Sequence, residues 1–520
     1  MTARKTQVLI VGAGPTGLTL ALWLARLGVA VRIIDRSKGP GETSRALAIQ
    51  ARTLEFHRMI GTIDDVLREG VRVDTLNVLT PRGGTTPLDL GHFGAGLTKY
   101  AHAFALPQDI HERILIDHLA RFGISVERQT ELAGFDDLRS GVVARLRHGN
   151  GIETLQVDYL CGADGAHSTV RHALGIDFPG GAYDQSFYVA DVEGTGRLSK
   201  DSMDVVLGAY GFAIVLPVRQ SGTIRLIGVI PRKYEGLPQI TFDTIRRDVE
   251  RDSRVSVTSV KWFSTYRVHH RVAESFRKGR VFIAGDAGHI HSPAGGQGMN
   301  TGMGDAVNLA WKLGAVLQGR ADERLLDSYE VERLAFARRL VAGTDKAFRF
   351  ATSRSLLVGF FRRNLFVHIV RRLLKTRRAA RQFFEMNSQT AISYPESPLS
   401  AGIAGKLRSG ERLPWVAADC SDNFAPLAAL DWQVHVYGEV SPAFAATAAA
   451  RSIPLHGFAW TPEAEAAGIP RNAGFLVRPD GHIGLATGAQ NPRSLAAYLD
   501  RHRIRPRHEM SAPADIHAAE

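Results

Sequence analysis

Residues 7–35 read QVLIVGAGPTGLTLALWLARLGVAVRIID. QVLIV is apolar at nearly every position, the mark of a parallel strand buried on both faces. GAGPTG follows without a spacer, TLALWLARLG reads as a helix closed by Gly28, and VAVRIID (29–35) as a second strand. Gly12, Gly14 and Gly17 stand in this βαβ unit as G-x-G-x-x-G, with Pro15 and Thr16 in the same turn and Asp35 ending the second strand. The glycines permit a tight turn and close backbone approach, the helix N-terminus faces a pyrophosphate, and the acid accepts from a ribose hydroxyl. The pattern points to a dinucleotide without saying which one, and a glycine-rich turn in an ordinary βαβ unit is the plain alternative.

Three later stretches narrow the ligand. SRALAIQARTLEFHRMIG (44–61) brings Arg45, followed by Ala46, within reach of a phosphate, and then a short helix ended by Gly61. LPQDIHERILIDHLARFG (106–123) opens a helix at Gln108, and VDYLCGADGAHSTVRHALG (157–175) breaks from a strand into a turn at Asp164-Gly165. GRVFIAGD (279–286) is a further buried-strand pattern, with Asp286 at its C-terminal end, where open α/β sheets bind ligands. Beyond it Pro293 stiffens the chain, Gly295, Gly296 and Gly298 let backbone amides converge, and Met299 and Asn300 lead into a helix through Trp311. Unpaired amides and partial positive charge at such an N-terminus favour an electron-rich planar group, of which a flavin ring is an example.

At 520 residues the chain exceeds what one core serves, so two or three domains are expected. An apolar fraction of 44% and a charged fraction of 22% are ordinary for a globular protein. Cys161 and Cys420 are the only cysteines, in no metal-ligand or CxxC spacing, so no metal site and no disulfide scaffold is expected. The N-terminus has no signal-peptide pattern, which makes the cytoplasm the expected location. The net charge of +12 is concentrated between Ser353 and Phe384, which hold nine arginines and lysines and no acid, interleaved with apolar residues such as Phe360, Phe361, Phe366, Ile369 and Leu373. This spacing suits an amphipathic helix too interrupted to span a bilayer. A domain-bridging helix with a solvated basic face is the preferred reading, and a membrane-surface or anion-attracting helix the other. No nucleic-acid-binding motif is present.

Taken as a set, the N-terminal glycine motif, GADGAHSTVR and RVFIAGDAGHIHSPAGGQGMNTG resemble the three fingerprints of the group A flavoprotein aromatic hydroxylases, the family of the p-hydroxybenzoate and phenol hydroxylases, over residues 5–345. The resemblance implies one FAD on a Rossmann-like domain, a mixed-sheet substrate domain, NADPH or NADH as a transient co-substrate, and O2 as oxidant by way of a flavin hydroperoxide. It assigns Gly12, Gly14 and Gly17 to the pyrophosphate and Asp35, with Arg36 beside it, to the adenosine. Arg45, Ala46 and Gln108 go to the pyrophosphate and ribityl chain, Asp164-Gly165 to FAD and the reduced nicotinamide, and Asp286 to the ribityl hydroxyls. Gly296, Gly298, Met299 and Asn300 meet the flavin ring. The chain departs from the family in having Asp35 where Glu is commoner, Gly288 where Ala is, and Ser292 where Pro is.

Strand-like runs at 186–194, 203–208, 211–219 and 223–231 alternate between short turns, as in an antiparallel sheet. The resemblance makes this sheet the roof of a substrate chamber, with Phe187, Phe212, Ile214, Leu216 and Pro217 as pocket candidates and the Pro293 backbone beside the substrate. Core packing is the alternative for each of the side chains. The expected substrate is a small phenolic aromatic compound, hydroxylated ortho to an existing hydroxyl. Its proton needs an acceptor, for which His289, His291, His269, His270, Asp191 and Tyr210 are available. From about Ser400 the β-α-β-β-α order and LVRPDG (476–481) resemble the thioredoxin-like C-terminal domain of larger phenolic and polyketide hydroxylases. The expected division is an FAD domain of residues 1–180 and 265–345, a substrate domain of 181–264, a helical linker of 346–398 and a thioredoxin-like domain of 399–520, with a homodimer possible. Oxygen insertion into a ring ketone or polyketide quinone is the alternative within the fold. A flavin-binding redox or ligand sensor with a partner-docking C-terminal module is the alternative outside enzymology.

Overall fold

The structure is a computed structural model. It describes residues 6–41, 46–79, 84–196, 202–207, 211–218, 222–234, 237–292, 294–353, 355–361, 365, 367–417 and 422–507. Arg45, Tyr210, Pro293, Phe366 and Cys420 lie outside the described residues. The chain divides into two compact units, Met1–Ala310 with Arg333–Ala391 and Trp311–Glu332 with Ile392–Glu520.

The first unit is built on a six-stranded sheet in the order Arg277–Lys278, Val281–Ile283, Tyr159–Gly162, Val8–Val11, Val31–Asp35, Val126–Arg128. All neighbours but the edge hairpin at Arg277–Lys278 are parallel. Val8–Val11 is buried along its whole length, as a parallel strand covered on both faces requires. Helix Pro15–Arg26 starts with Pro at its first turn, buries Leu18 through Ala25, and closes at Gly28, whose φ of +76° only glycine adopts freely.

An eight-stranded mixed sheet follows, in the order His289–Ile290, Val255–Val272, Gly180–Gly196, Ile224–Val229, Phe212–Pro217, Ser202–Leu207, Thr75–Leu79, Thr85–Asp89. The four strand-like runs are all in it. It also takes strands from outside 181–264: Thr75–Leu79, which runs parallel to Ser202–Leu207, and Thr85–Asp89. One face is covered by helix Phe242–Ser253, which Thr241 and Thr244 start with a reciprocal capping box. The stripe Phe242, Ile245, Val249 packs on Tyr188, Ala190, Val192 and Leu226. Burying those three side chains contributes roughly 5–9 kcal/mol.

The basic segment is not one helix. Its described parts form three, Leu356–Phe361, Val367–Leu373 and Arg377–Asn387. The last enters the core, through Ala380 and Phe384.

In the second unit, strands Gln433–Tyr437, Leu455–Phe458, Ala473–Val477 and Ile483–Thr487 form a sheet with one parallel and two antiparallel pairings. With helices Pro442–Ala450, Pro462–Ala466 and Pro492–His502 the order is β-α-β-α-β-β-α, one strand and one short helix more than the expected β-α-β-β-α, because the Asp480-Gly481 turn splits the stretch around it into two strands. Gly481, with φ +77°, turns the hairpin.

One buried polar feature of the first unit sets a pH dependence. His57 Nε2 and His111 Nε2 are 2.9 Å apart, and His57 Nδ1 is 2.7 Å from Thr62 Oγ1, which donates back to the His57 carbonyl. The shared Nε2 contact holds one proton, so both rings are neutral. Burial, then the neighbouring His111, holds His57 well below the ordinary imidazole range, and burial pushes His111 down to about 4. The unfolded chain binds protons on these rings from about pH 6.5 downward, and the folded chain does not. Stability is therefore complete above that pH and is lost on acidification, by on the order of 2 kcal/mol for His111 between pH 7 and pH 5. Thermal unfolding at the two pH values measures it. The replacement His111→Asn should flatten the dependence, and an unchanged slope in that variant would contradict the assignment.

Candidate active site

The turn after Val8–Val11 is shaped by contacts that only glycine allows. Gly12 has φ +104°, and a Cβ there would run into the Ala163 carbonyl; a Cβ on Gly17 would fall inside the Gly12 carbonyl oxygen. Gly14 differs, since a Cβ on it would meet nothing within 4 Å. It is the N-cap of helix Pro15–Arg26 and makes no side-chain cap bond, so the first amides of that helix are left to an incoming group. Thr16 points elsewhere, its side chain filling the space left by the missing Cβ atoms of Gly285 and Gly302.

The open side of Gly14 belongs to a cavity of about 280 Å³ lined by Gly12, Asp35, Arg36, Ala163, Asp164 and Gly165, with Thr130 and Leu132 at one edge. Asp35 Oδ2 accepts from the Ala13 amide at 2.7 Å, and Oδ1 accepts from the Ser37 amide at 2.8 Å and the Ser37 hydroxyl. The carboxylate thus ties the second strand to the glycine turn. Asp164 Oδ2 accepts from the Val170 amide at 3.1 Å, while Oδ1 is buried without a protein partner. A buried carboxylate oxygen left in that state is destabilising unless a ligand donates to it. An uncapped helix start, an open Gly14 and an orphaned Asp164 oxygen together fit a dinucleotide.

The third motif comes to the same unit from the middle of the chain. Asp286 is exposed in the turn after Val281–Ile283. Gly295 (φ +79°) and Gly296 (φ +62°) lead into helix Gly298–Leu317. Asn300 is not available as a side-chain ligand. Its Oδ1 accepts from the Gln50 amide at 2.9 Å, and its Nδ2 donates to the Ala48 and Gly296 carbonyls, both at 2.9 Å. It clamps the glycine loop to residues 48–50, and Gln50 Nε2 adds a bond to the Gly295 carbonyl at 2.8 Å. Met299 packs beside Leu54, Phe104 and Phe384. Gln108 donates to Glu112 Oε1 at 2.8 Å, and its amide donates to the Ala46 carbonyl at 3.3 Å.

Sequence reasoning missed Asp305 and Arg333. Asp305 Oδ2 takes the Gly285 amide at 3.0 Å and His289 Nε2 at 2.7 Å, while Oδ1 takes Arg333 Nε at 2.6 Å, all in the core. Burial would raise the Asp305 carboxyl, but the Arg333 and His289 partners hold it below the usual carboxylate range. An acid amid the glycines and alanines of GMGDAVNLA was the available signal.

His289 is accordingly a strut between strand and helix. Asp191 is bound in fork fashion to the fully buried Arg225, with both bonds at 2.7 Å, and cannot serve as a free base. His291 Nδ1 lies 2.8 Å from the Ser292 carbonyl, which only accepts, so Nδ1 carries the proton. Its Nε2 keeps a lone pair, buried and unpartnered, about 3.8 Å from where a Cβ of Gly298 would stand. Burial, and then His289, pushes this ring down to about 4. His269 and His270 stand on Val255–Val272 opposite Ala182 and Gly181.

Register sorts the pocket candidates. Ile214 and Leu216 pair with Ile227 and Arg225, so with Phe212 they share the face that carries the Asp191–Arg225 pair. Pro217 pairs with Ile224 and falls on the opposite face, under helix Phe242–Ser253. Phe187 is fully buried against Phe348, with ring centroids 5.2 Å apart, and acts there in packing.

Residues 5–344 match the FAD binding domain family. The chain belongs to that family. This FAD-binding protein is 38% identical over 404 residues to 6-methylpretetramide 4-monooxygenase of Streptomyces rimosus, covering 76% of this chain and 71% of the relative. It is 31% identical over 517 residues to a flavin-dependent monooxygenase of Mycobacteroides abscessus, covering 95% and 99%. Among solved structures it superposes on the anhydrotetracycline hydroxylase OxyS of S. rimosus with a TM-score of 0.78 at 28% identity, over 97% of this chain and all of that one. It is a flavin-dependent monooxygenase of the single-component aromatic hydroxylase type, using FAD and O2. No helix among the described residues is long and apolar enough to cross a membrane, and none of their His, Cys, Asp and Glu side chains cluster as a metal site.

Proposed function

We propose that this monooxygenase hydroxylates a fused-ring phenolic compound akin to those named for its relatives, with NAD(P)H as reductant. Bound FAD supplies two-electron acceptance and dioxygen activation. The chain's own residues hold and orient. Gly12, Gly14, Pro15 and Gly17 take the pyrophosphate, and Asp35 and Arg36 the adenosine. Ala46, Gln108, Asp164-Gly165 and Asp286 line the path between, while Gly296, Gly298 and the backbone at Met299 and Asn300 meet the flavin.

The observation that carries the reading is the sheet face of Phe212, Ile214 and Leu216, half-buried and apolar, framed by one ion pair. Such a face excludes water while accepting a broad ring system. His291 takes the phenolic proton at Nε2, since its ring is neutral throughout the physiological range. The C-terminal unit is a thioredoxin-like domain without thiol chemistry and supports the fold.

Stimulated NADPH or NADH oxidation by anhydrotetracycline, with a product one oxygen heavier that keeps its ring size, is the expected result; failure of every multi-ring phenol to stimulate it would refute the reading. The replacement His291→Gln should lower kcat by about 10²–10⁴-fold and remove the acidic limb of its pH profile, with KM little changed. A profile identical to wild type would remove His291 from the role.

A further inference from the structure

Half of the exposed large apolar side chains among the described residues lie between positions 357 and 386. Leu357 is 83% exposed, and Phe360, Phe361, Leu365, Ile369 and Leu373 are exposed too. Single apolar residues on a surface need no explanation, but a run of them confined to one stretch marks an interaction site. This is the stretch whose sequence holds nine cations and no acid from Ser353 to Phe384. Arg372, Lys375, Arg377, Arg378 and Arg381 are exposed there. The solvated basic face expected of a bridging helix would have left the apolar side chains buried. Here the two kinds of side chain are presented together on short helices.

We infer that the described residues between 355 and 381, with Leu357, Phe360, Phe361, Leu365, Ile369 and Leu373 as the apolar contacts and Arg372, Lys375, Arg377, Arg378 and Arg381 as the cations, dock this enzyme on an anionic lipid surface. Large apolar side chains enter the headgroup boundary, and neighbouring lysines and arginines pair with lipid phosphates. Charge decides the occupant. A second copy of this chain would set nine cations against nine and carries a net charge of +12, whereas an anionic leaflet is complementary. Attachment is peripheral, because no described helix can span a bilayer. The patch is anchored to the rest of its unit by helix Arg377–Asn387, where Phe384 packs in the cluster that includes Met299 and the Met386 carbonyl accepts from Gln297 Nε2 at 3.3 Å.

The test is co-sedimentation of the full-length holoenzyme with vesicles of equal parts phosphatidylglycerol and phosphatidylcholine, against vesicles of phosphatidylcholine alone. Binding is expected only to the first, with release near 1 M salt, where the screening length falls to about 3 Å. The combined replacement Arg372→Glu, Lys375→Glu, Arg378→Glu should weaken partition by about a hundredfold or more, and Leu357→Ser with Ile369→Ser should weaken it as well, both leaving NADPH oxidation in solution unchanged. Equal binding to both vesicle types, no binding, or indifference to the charge reversal would overturn the inference. So would a wild-type dimer that the serine pair converts to monomer, since a second copy would then cover the patch.

Discussion

Gly14→Ala is expected to leave the apoprotein folded, with a melting temperature within about 1 °C of wild type, and to lower FAD affinity on the order of a hundredfold. The added methyl meets no protein atom within 4 Å, so the apoprotein has nothing to rearrange. It projects instead into the cavity it shares with Asp35 and Asp164, at the start of a helix whose amides carry no side-chain cap. A close approach of phosphate to backbone is what that site offers, and one methyl group removes it. Gly17→Ala is the contrast. There the methyl collides with the Gly12 carbonyl, so turn and helix must separate, and stability and FAD affinity should fall together. Differential scanning calorimetry of apoprotein and flavin-fluorescence titration distinguish the two variants. Full FAD affinity in Gly14→Ala would mean that the pyrophosphate does not lie in this turn.

Arg478→Met should destabilise the second unit by about 3–5 kcal/mol, a fall in its melting temperature of about 10 °C. Arg478 spans Glu332 with bonds of 2.7 and 3.0 Å and Asp480 with bonds of 2.6 and 3.1 Å. Lys312 Nζ donates to Glu332 at 2.8 Å, Ser397 Oγ to Glu332 at 2.6 Å and Trp311 Nε1 to Asp480 at 3.1 Å. These four charges are at most 2% exposed and balance two against two. Removing the guanidinium strands two buried carboxylates on one lysine, and Lys in its place lacks the fork that reaches both. Burial would raise the Glu332 carboxyl, but Arg478 and Lys312 hold it well below the usual carboxylate range. The network's stabilisation is therefore present above about pH 4.5 and lost as pH falls further. A calorimetric transition within 2 °C of wild type for Arg478→Met would show that the network contributes little.

Local pattern was a sound guide wherever one short stretch carries its own instruction. QVLIV followed by glycine and an apolar helix can satisfy its backbone and bury its side chains in few ways besides a βαβ unit; the strand stands where it was read, and the helix begins at Pro15, inside the glycine turn, rather than at Thr19. Strands Thr75–Leu79 and Thr85–Asp89 were not legible, because TLNVL and TTPLD carry too few apolar residues to announce a sheet edge. The basic segment's spacing suggested one helix, yet its described residues form three, with apolar groups left in solvent.

Side-chain roles divide along the same line. Residue order alone determined the FAD fold and which glycines make its turn, since steric permission at Gly12, Gly14 and Gly17 is a property of the residue type at a local backbone shape. Which polar groups remain for ligands was decided only in three dimensions. Asn300 is consumed by Gln50, Ala48 and Gly296, His289 by Asp305, and Asp191 by Arg225, whereas Asp164 Oδ1 and His291 Nε2 are left open. Asp480 reads locally as a turn former and is in fact half of a buried charge pair with Arg478. A buried polar atom bonds to whatever the fold brings within reach of it, and the deciding partners are distant in the chain: Gln50 is 250 residues from Asn300, Arg225 is 34 from Asp191 and Glu332 is 146 from Arg478.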